Sequence, residues 1–178
     1  MDLRSVLIEF HTALDEAAIG HALIGGLALS VHGAARATVD LDLLVDGLRD
    51  ADVDALARER GYECLHRTEH MGNYVSPDRA KGRIDFLFVR REYGRAMLER
   101  AAAYSVLGQS IRVVDAADLI GLKVQASSND PRRKDRDMVD VTRLLEGAEV
   151  DLDRVRLYFR LFDRESELDA LIRKVAKR

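Results

Sequence analysis

The sequence predicts an α/β (α+β) chain, a mixed portion first and then helices alone. Three observations carry this. Apolar residues recur at helical spacing near the start, where Leu3, Val6, Leu7, Phe10, Leu14 and Ala17 mark an amphipathic helix over residues 3–19. Short apolar runs rich in β-formers then alternate with helical stretches as far as residue 114. From Asp115 onward only helical periodicity remains. The chain has 178 residues, 47% of them hydrophobic, enough to bury a core without disulfides or structural metal. The change of character divides it into 1–114 and 115–178, as two small domains or one continuous core.

In order, residues 21–24 form a short apolar strand ended by Gly25-Gly26, and 27–32 a helix with Gly33 as its C-cap. Residues 39–45 alternate as a strand. A helix covers 50–60 and stops at Gly61. Residues 64–66 and 73–76 are weaker strands, and Ile84 to Val89 is a strong one. A helix is expected over 92–103 and a strand over 110–114. Four helices follow, at 115–127, 135–147, 151–162 and 165–176, the first capped by Asp115. Ser127-Ser128-Asn129-Asp130-Pro131 has the composition of a loop.

Composition excludes several classes. Cys64 is the single cysteine, so no intrachain disulfide is possible, and a reducing, cytoplasmic setting is expected. The N-terminus lacks a long apolar segment, so no signal peptide is expected. No apolar run reaches the roughly 20 residues of a membrane helix, so no membrane partner is expected. A net charge of −3 argues against a surface that coats nucleic acid, without excluding a local basic patch.

Val39-Asp40-Leu41-Asp42-Leu43 is the most informative segment. Successive strand side chains point to opposite faces. Asp40 and Asp42 therefore share one face, and Val39, Leu41 and Leu43 the other. Two carboxylates held that close repel unless a cation neutralises them, and hard divalent cations with oxygen ligands do so. Two-metal phosphoryl and nucleotidyl transfer uses such bridging carboxylates. A solvated sheet face or a pair of capping aspartates would read the same way. Asp85, inside apolar Ile84-Asp85-Phe86, has the same design. A buried strand carboxylate needs a partner: either the first pair, if the strands are neighbours, or a salt bridge to Arg83 or Arg36. Gly25-Gly26, between strand and helix, lets backbone N–H groups approach an anion. It would also serve an ordinary tight turn.

Together, Gly25-Gly26, thirteen intervening residues, Asp40-Leu41-Asp42 and the later Asp85 resemble the signature of polymerase-β-type nucleotidyltransferases. An Arg shortly before the acidic strand, here Arg36, is similar to the antibiotic-modifying members. Asp118-Leu119-Ile120-Gly121-Leu122-Lys123, then Arg133 and Asp137-x-x-Asp140, resemble the AbiEii-like toxins of type IV toxin–antitoxin systems. The resemblance spans residues 21 to 145; residues 146–178 match no known pattern.

The resemblance implies a nucleotidyltransferase core with a mixed sheet flanked by helices over 1–114, plus a helical C-terminal region over 115–178. It implies Mg²⁺ or Mn²⁺ as cofactor and an NTP as substrate. Asp40, Asp42 and Asp85 would be catalytic and hold the metal ions, Asp85 also helping to activate the acceptor hydroxyl. Gly25 and Gly26 would cradle phosphates, with Arg36 and Lys123 as further nucleotide contacts and Arg133, Asp137 and Asp140 as additional candidates. Read as plain residues, Lys123 fits a snorkelling surface lysine, Asp137 and Asp140 a solvated helix face, and Arg36 a partner of an aspartate. The expected function is metal-dependent transfer of a nucleoside monophosphate to a hydroxyl on RNA or protein, with a cognate antitoxin as partner. The alternatives are an antibiotic nucleotidyltransferase and an inactive binding protein of the same fold. His32, Cys64 and the pair His66 and His70 carry no role here, because no Glu or Cys completes a metal set beside that pair. The run Arg132-Arg133-Lys134-Arg136 fits either an RNA contact or a solvated loop.

Overall fold

In the computed structural model, which describes residues 1–177, the apolar runs of the first two thirds become strands of one seven-stranded mixed sheet. The strands are β1 (His21–Leu23), β2 (Asp40–Asp46), β3 (Glu63–Arg67), β4 (Met71–Val75), β5 (Arg83–Val89), β6 (Ala102–Val106) and β7 (Gln109–Val113). Their order is β3-β4-β5-β2-β1-β7-β6. β2 runs parallel to β5 and β1 parallel to β7; the other neighbours are antiparallel. The helices are α1 (Leu3–Glu16), α2 (Gly25–Val31), α3 (Asp50–Glu59), α4 (Glu92–Arg100), α5 (Ala116–Asn129), α6 (Lys134–Gly147), α7 (Leu152–Arg160) and α8 (Glu165–Val175). This is the mixed α/β architecture expected, with helices following the sheet. No helix of the described residues is long and apolar enough to cross a membrane.

The chain forms two compact units: Met1–Ala28 with Arg36–Val114, and Leu29–Ala35 with the residues from Asp115 on. In the first, α1 buries Val6, Leu7, Phe10, Ala13 and Leu14 at helical spacing and contacts β2. The Phe10 ring meets Tyr62 edge-on at 5.3 Å and Phe86 at 5.8 Å, and Tyr74 meets Phe86 at 5.6 Å. Each such buried aromatic contributes about 1.5–3 kcal/mol relative to exposure. On β5, Ile84, Phe86 and Phe88 are buried, whereas Asp85 is half-buried. A strand that alternates this way presents its polar residue on one face and anchors itself by the other.

In the second unit, α5 packs against α6 and α7, and both of these contact α8. The Asp115 carboxylate caps α5, accepting from the amides of Ala117 at 2.8 Å and Asp118 at 3.2 Å. Gly121 lies directly under the Tyr158 ring, so close that a Cβ there would be 2.6 Å from it. The Arg164 guanidinium donates to the Val124 carbonyl and to the hydroxyls of Ser127 and Ser128.

The structure departs from the sequence-based expectation in three places. The helix expected over 92–103 ends at Arg100, and residues 102–106 form β6. Ala102 and Ala103 favour a helix locally, but pairing with β7 through the Leu107–Gly108 turn, both residues at positive φ, wins. Ser128 and Asn129 continue α5 where a loop was expected; the Ser127 and Ser128 hydroxyls donate to the Val124 carbonyl and accept from Arg164, so they are satisfied without leaving the helix. Val39, expected on the core face of β2, precedes the strand and is 78% exposed.

Candidate active site

β2 and β5 lie side by side in parallel register, with Asp42 opposite Asp85. Asp40 and Asp42 stand two residues apart on one face of β2. The pairing therefore brings three carboxylates together: one oxygen from each of Asp40, Asp42 and Asp85 lies within 4.8 Å of the others. All three are half-buried, while Leu41 and Leu43 on the other face of β2 are fully buried. The apolar face fixes the strand, and the opposite face carries the carboxylates.

Neighbouring side chains hold Asp40 and Asp85. The Thr38 hydroxyl donates to Asp40 Oδ1 at 2.8 Å. Asn73, 7% exposed on β4 and directly across from Asp85, donates its Nδ2 to Asp85 Oδ1 at 2.7 Å. Arg83 Nε reaches the same oxygen at 3.1 Å, so the salt bridge considered for Asp85 forms together with the carboxylate cluster. Thr38 and Asn73 were not picked out from the sequence. Thr38 could have been, since it stands two residues before Asp40. Asn73 lies on a strand that only the sheet order places beside β5.

The glycines owe their identity to the same neighbourhood. Gly25 has φ +64, and a Cβ built on it would lie 1.9 Å from Asp42 Oδ2. No side chain fits there without expelling the carboxylate. At Gly26 a Cβ would be 2.5 Å from the Thr38 side chain. The Ile24 amide donates to the Asp42 carbonyl at 3.1 Å, tying the glycine turn to the acidic strand. Arg36 is half-buried, and its Nη1 donates to the Ala37 carbonyl at 3.1 Å.

The remaining candidates form a second cluster, within the second unit. Lys123 is 7% exposed, and its ammonium lies 3.2 Å from Asp137 Oδ1 and 2.7 Å from Asp140 Oδ2. Arg133 Nε donates to Asp137 Oδ2 at 3.1 Å. Asp137 and Asp140 are 0% and 1% exposed. This cluster is neither a snorkelling lysine nor a solvated helix face, but a buried and compensated charge network. The basic run is paired as well: Arg132 with Asp130 at 2.8 Å, Lys134 with Glu167 at 3.5 Å. Asp118 is fully buried and accepts from the Tyr158 hydroxyl at 2.6 Å; that partner lies in the stretch that resembled nothing.

Three clustered aspartates on parallel strands thus stand beside a glycine turn moulded to one of them. The chain belongs to the nucleotidyl transferase AbiEii toxin family of type IV toxin–antitoxin systems, whose family model matches residues 10–176. No curated protein sequence matches it. Among solved structures, the antibiotic-resistance factor ANT(2'')-Ia is similar over 100% of both chains at 14% identity, with a TM-score of 0.67. The lincosamide antibiotic adenylyltransferase LnuA, in its lincomycin-bound form, is similar over 79% of this chain and 95% of its own, at 13% identity and a TM-score of 0.57. An antigenic nucleotidyltransferase-like protein from Paracoccidioides brasiliensis is similar over 97% of this chain and 92% of its own, at 16% identity and a TM-score of 0.60. At such identities these likenesses establish the shared fold.

Proposed function

We propose that the protein is a metal-dependent enzyme that transfers a nucleoside monophosphate from an NTP to a hydroxyl acceptor. The observation that carries this is the convergence of Asp40, Asp42 and Asp85 within 4.8 Å. Such a set offers only hard oxygen donors, which suits Mg²⁺ or Mn²⁺. Asp40 and Asp42 would hold both ions and Asp85 one. Bound ions would supply charge stabilisation on the transferring phosphoryl group and lower the pKa of the attacking hydroxyl.

The residues themselves divide the remaining work. Gly25 and Gly26 carry no side chain, so their amides are approachable by the outer phosphates. Asp85 keeps Oδ1 engaged with Asn73 and Arg83 and uses Oδ2 to take the acceptor proton. The acceptor oxygen bonds to the α-phosphorus, the bond from that phosphorus to the bridging oxygen breaks, and pyrophosphate leaves. No covalent enzyme intermediate is needed. Arg36 fits a phosphate contact. Lys123, already matched to two carboxylates, fits a role in holding Asp137 and Asp140 better than a direct triphosphate contact.

The acceptor we favour is RNA or protein, in the cytoplasm, with an antitoxin as partner. Membership of the toxin family supports this. The paired basic run does not add to it, since acids already meet Arg132, Arg133 and Lys134. The second reading is an antibiotic acceptor, favoured by the fold shared with ANT(2'')-Ia and LnuA. The test incubates the protein with labelled NTP, Mg²⁺, total tRNA, a cell extract, and aminoglycosides and lincosamides. Label on tRNA or protein supports the first reading. Label confined to a drug supports the second, and none on any acceptor rejects the enzyme.

A further inference from the structure

A second group of potential ligands lies at the other end of β2 from the aspartates. His21 opens β1 and pairs with Val45 near the end of β2, three residues beyond Asp42. Its ring, 6% exposed, faces His11 of α1, with His11 Nδ1 and His21 Nε2 only 2.9 Å apart. Asp15, one helical turn beyond His11, brings Oδ2 to 3.6 Å from His11 Nε2 and Oδ1 to 3.9 Å from His21 Nδ1. One ligand atom from each of the three lies within 4.8 Å of the others.

The hydrogen bonds fix which nitrogens can ligate. His21 Nδ1 lies 2.9 Å from the Ile19 carbonyl. A carbonyl only accepts, so Nδ1 carries the proton and Nε2 presents its lone pair toward His11. Without a metal, His11 Nδ1–H must donate to that lone pair. Moving this proton to Nε2, the other neutral tautomer, would free the Nδ1 lone pair for a cation and leave His11 Nε2–H facing Asp15, the arrangement in which a carboxylate orients a ligating imidazole. Two imidazole nitrogens at about 2.0–2.1 Å from a tetrahedral ion stand about 3.3 Å apart. The present spacing therefore needs to open by only a few tenths of an ångström. His11 has room for that, its side chain being 18% exposed, while His21 is anchored. Asp15 is 62% exposed and faces the non-ligating nitrogen of His11, which leaves solvent to complete the shell.

We propose that His11 and His21, with Asp15 orienting the His11 ring, form a binding site for a borderline divalent transition metal such as Zn²⁺, separate from the aspartate site. Imidazole donors select Zn²⁺, Cu²⁺ and Ni²⁺ over Mg²⁺ and Ca²⁺, so the two sites differ in the metals they take. The ion would tie the end of α1 to the first strand of the sheet. The Arg112 guanidinium is near enough to act on His21 and lowers affinity for any cation; the Asp15 charge opposes it.

The test titrates the metal-stripped full chain with Zn²⁺ in millimolar Mg²⁺, following heat, thermal midpoint and imidazole ¹⁵N shifts. The native chain and Asp42→Asn should both take up Zn²⁺ with a raised midpoint and perturbed His11 and His21 ring nitrogens. His11→Ala should lose that uptake and that shift. Asp15→Asn should bind about tenfold or more weakly, as expected for a residue that orients a ligand. His21→Ala is the less informative change, because the buried ring packs in the fold, so His11→Ala carries the decision. Zn²⁺ uptake that is absent in the native chain, unchanged in His11→Ala, or lost in Asp42→Asn overturns the proposal.

Discussion

Replacing Gly25 with alanine separates catalytic placement from folding more sharply than removing a carboxylate does. Two costs follow from the structure. An L-residue at φ +64 is strained by roughly 1–2 kcal/mol. At 178 residues that lowers the thermal midpoint by about 2–8 °C. The second cost falls on the site. The new methyl would sit 1.9 Å from Asp42 Oδ2, 2.4 Å from its Cγ and 2.6 Å from its Cβ, where real contacts do not fall below 3.0 Å. Asp42 must therefore withdraw by about 1 Å, and displacements of that size cost about 100-fold in rate, equivalent to about 2.7 kcal/mol of barrier. The assay is pyrophosphate release from NTP and Mg²⁺ in the presence of cell extract, with the midpoint measured in parallel. Gly20→Ala is the control, because nothing lies within 4 Å of a Cβ there. A folded Gly25→Ala protein that keeps activity within a few-fold of the native chain would refute the placement of Asp42 in the reaction.

Three further outcomes are expected. Asp42→Asn should abolish transfer while the metal-free protein stays folded, with an unchanged or higher midpoint, because one of three crowded charges is gone; wild-type turnover removes Asp42 from the mechanism. Lys123→Met should lower stability by about 3–5 kcal/mol in urea unfolding, since it takes the shared ammonium from two buried carboxylates and leaves Asp137 with Arg133 as its cation, and adding Asp137→Asn and Asp140→Asn should recover part of the loss; a cost under 1 kcal/mol would contradict the compensated network. The Arg164 hydrogen bond holds the Glu167 carboxyl below its ordinary value of 4.5, so on acidification the unfolded chain takes up this proton first. That stability is present above about pH 4.5 and is lost as pH falls through the lower folded-state value, so Glu167→Gln should show a shallower acid limb, and an identical limb would contradict the assignment.

Much of the site was legible because its signals are local. Asp40 and Asp42 report their common face through the two-residue strand period, and Leu41 and Leu43 report the buried face beside them. Asp85 was legible as a misfit in an apolar strand. Its meeting with the pair needed β2 and β5 to be neighbours, which the strand order decides and no local pattern encodes. Asn73 was invisible for the same reason. β6 was missed because its alanines favour a helix and only the partner strand overrides them.

Spacing alone also misjudged Lys123. An amphipathic helix accounts for a lysine by placing it in water, but α5 is buried on several sides, Asp118, Lys123 and Ser127 included. A charge in such a helix must find its counterions on another element. Asp137 and Asp140 on α6 supply them, and their separation of three residues lets both reach one ammonium. The Asp-x-x-Asp spacing is thus explained by the cation it encloses. The separation of two in Asp40-x-Asp42 is explained differently, by a strand face that meets a third carboxylate instead of a lysine. Of the two acidic motifs, one encloses Lys123 and Arg133 in a buried network, and the other brings three half-buried carboxylates together, with Arg83 on Asp85, where a bound cation could join them. That difference is the physical reason we propose metal-dependent chemistry at Asp40, Asp42 and Asp85.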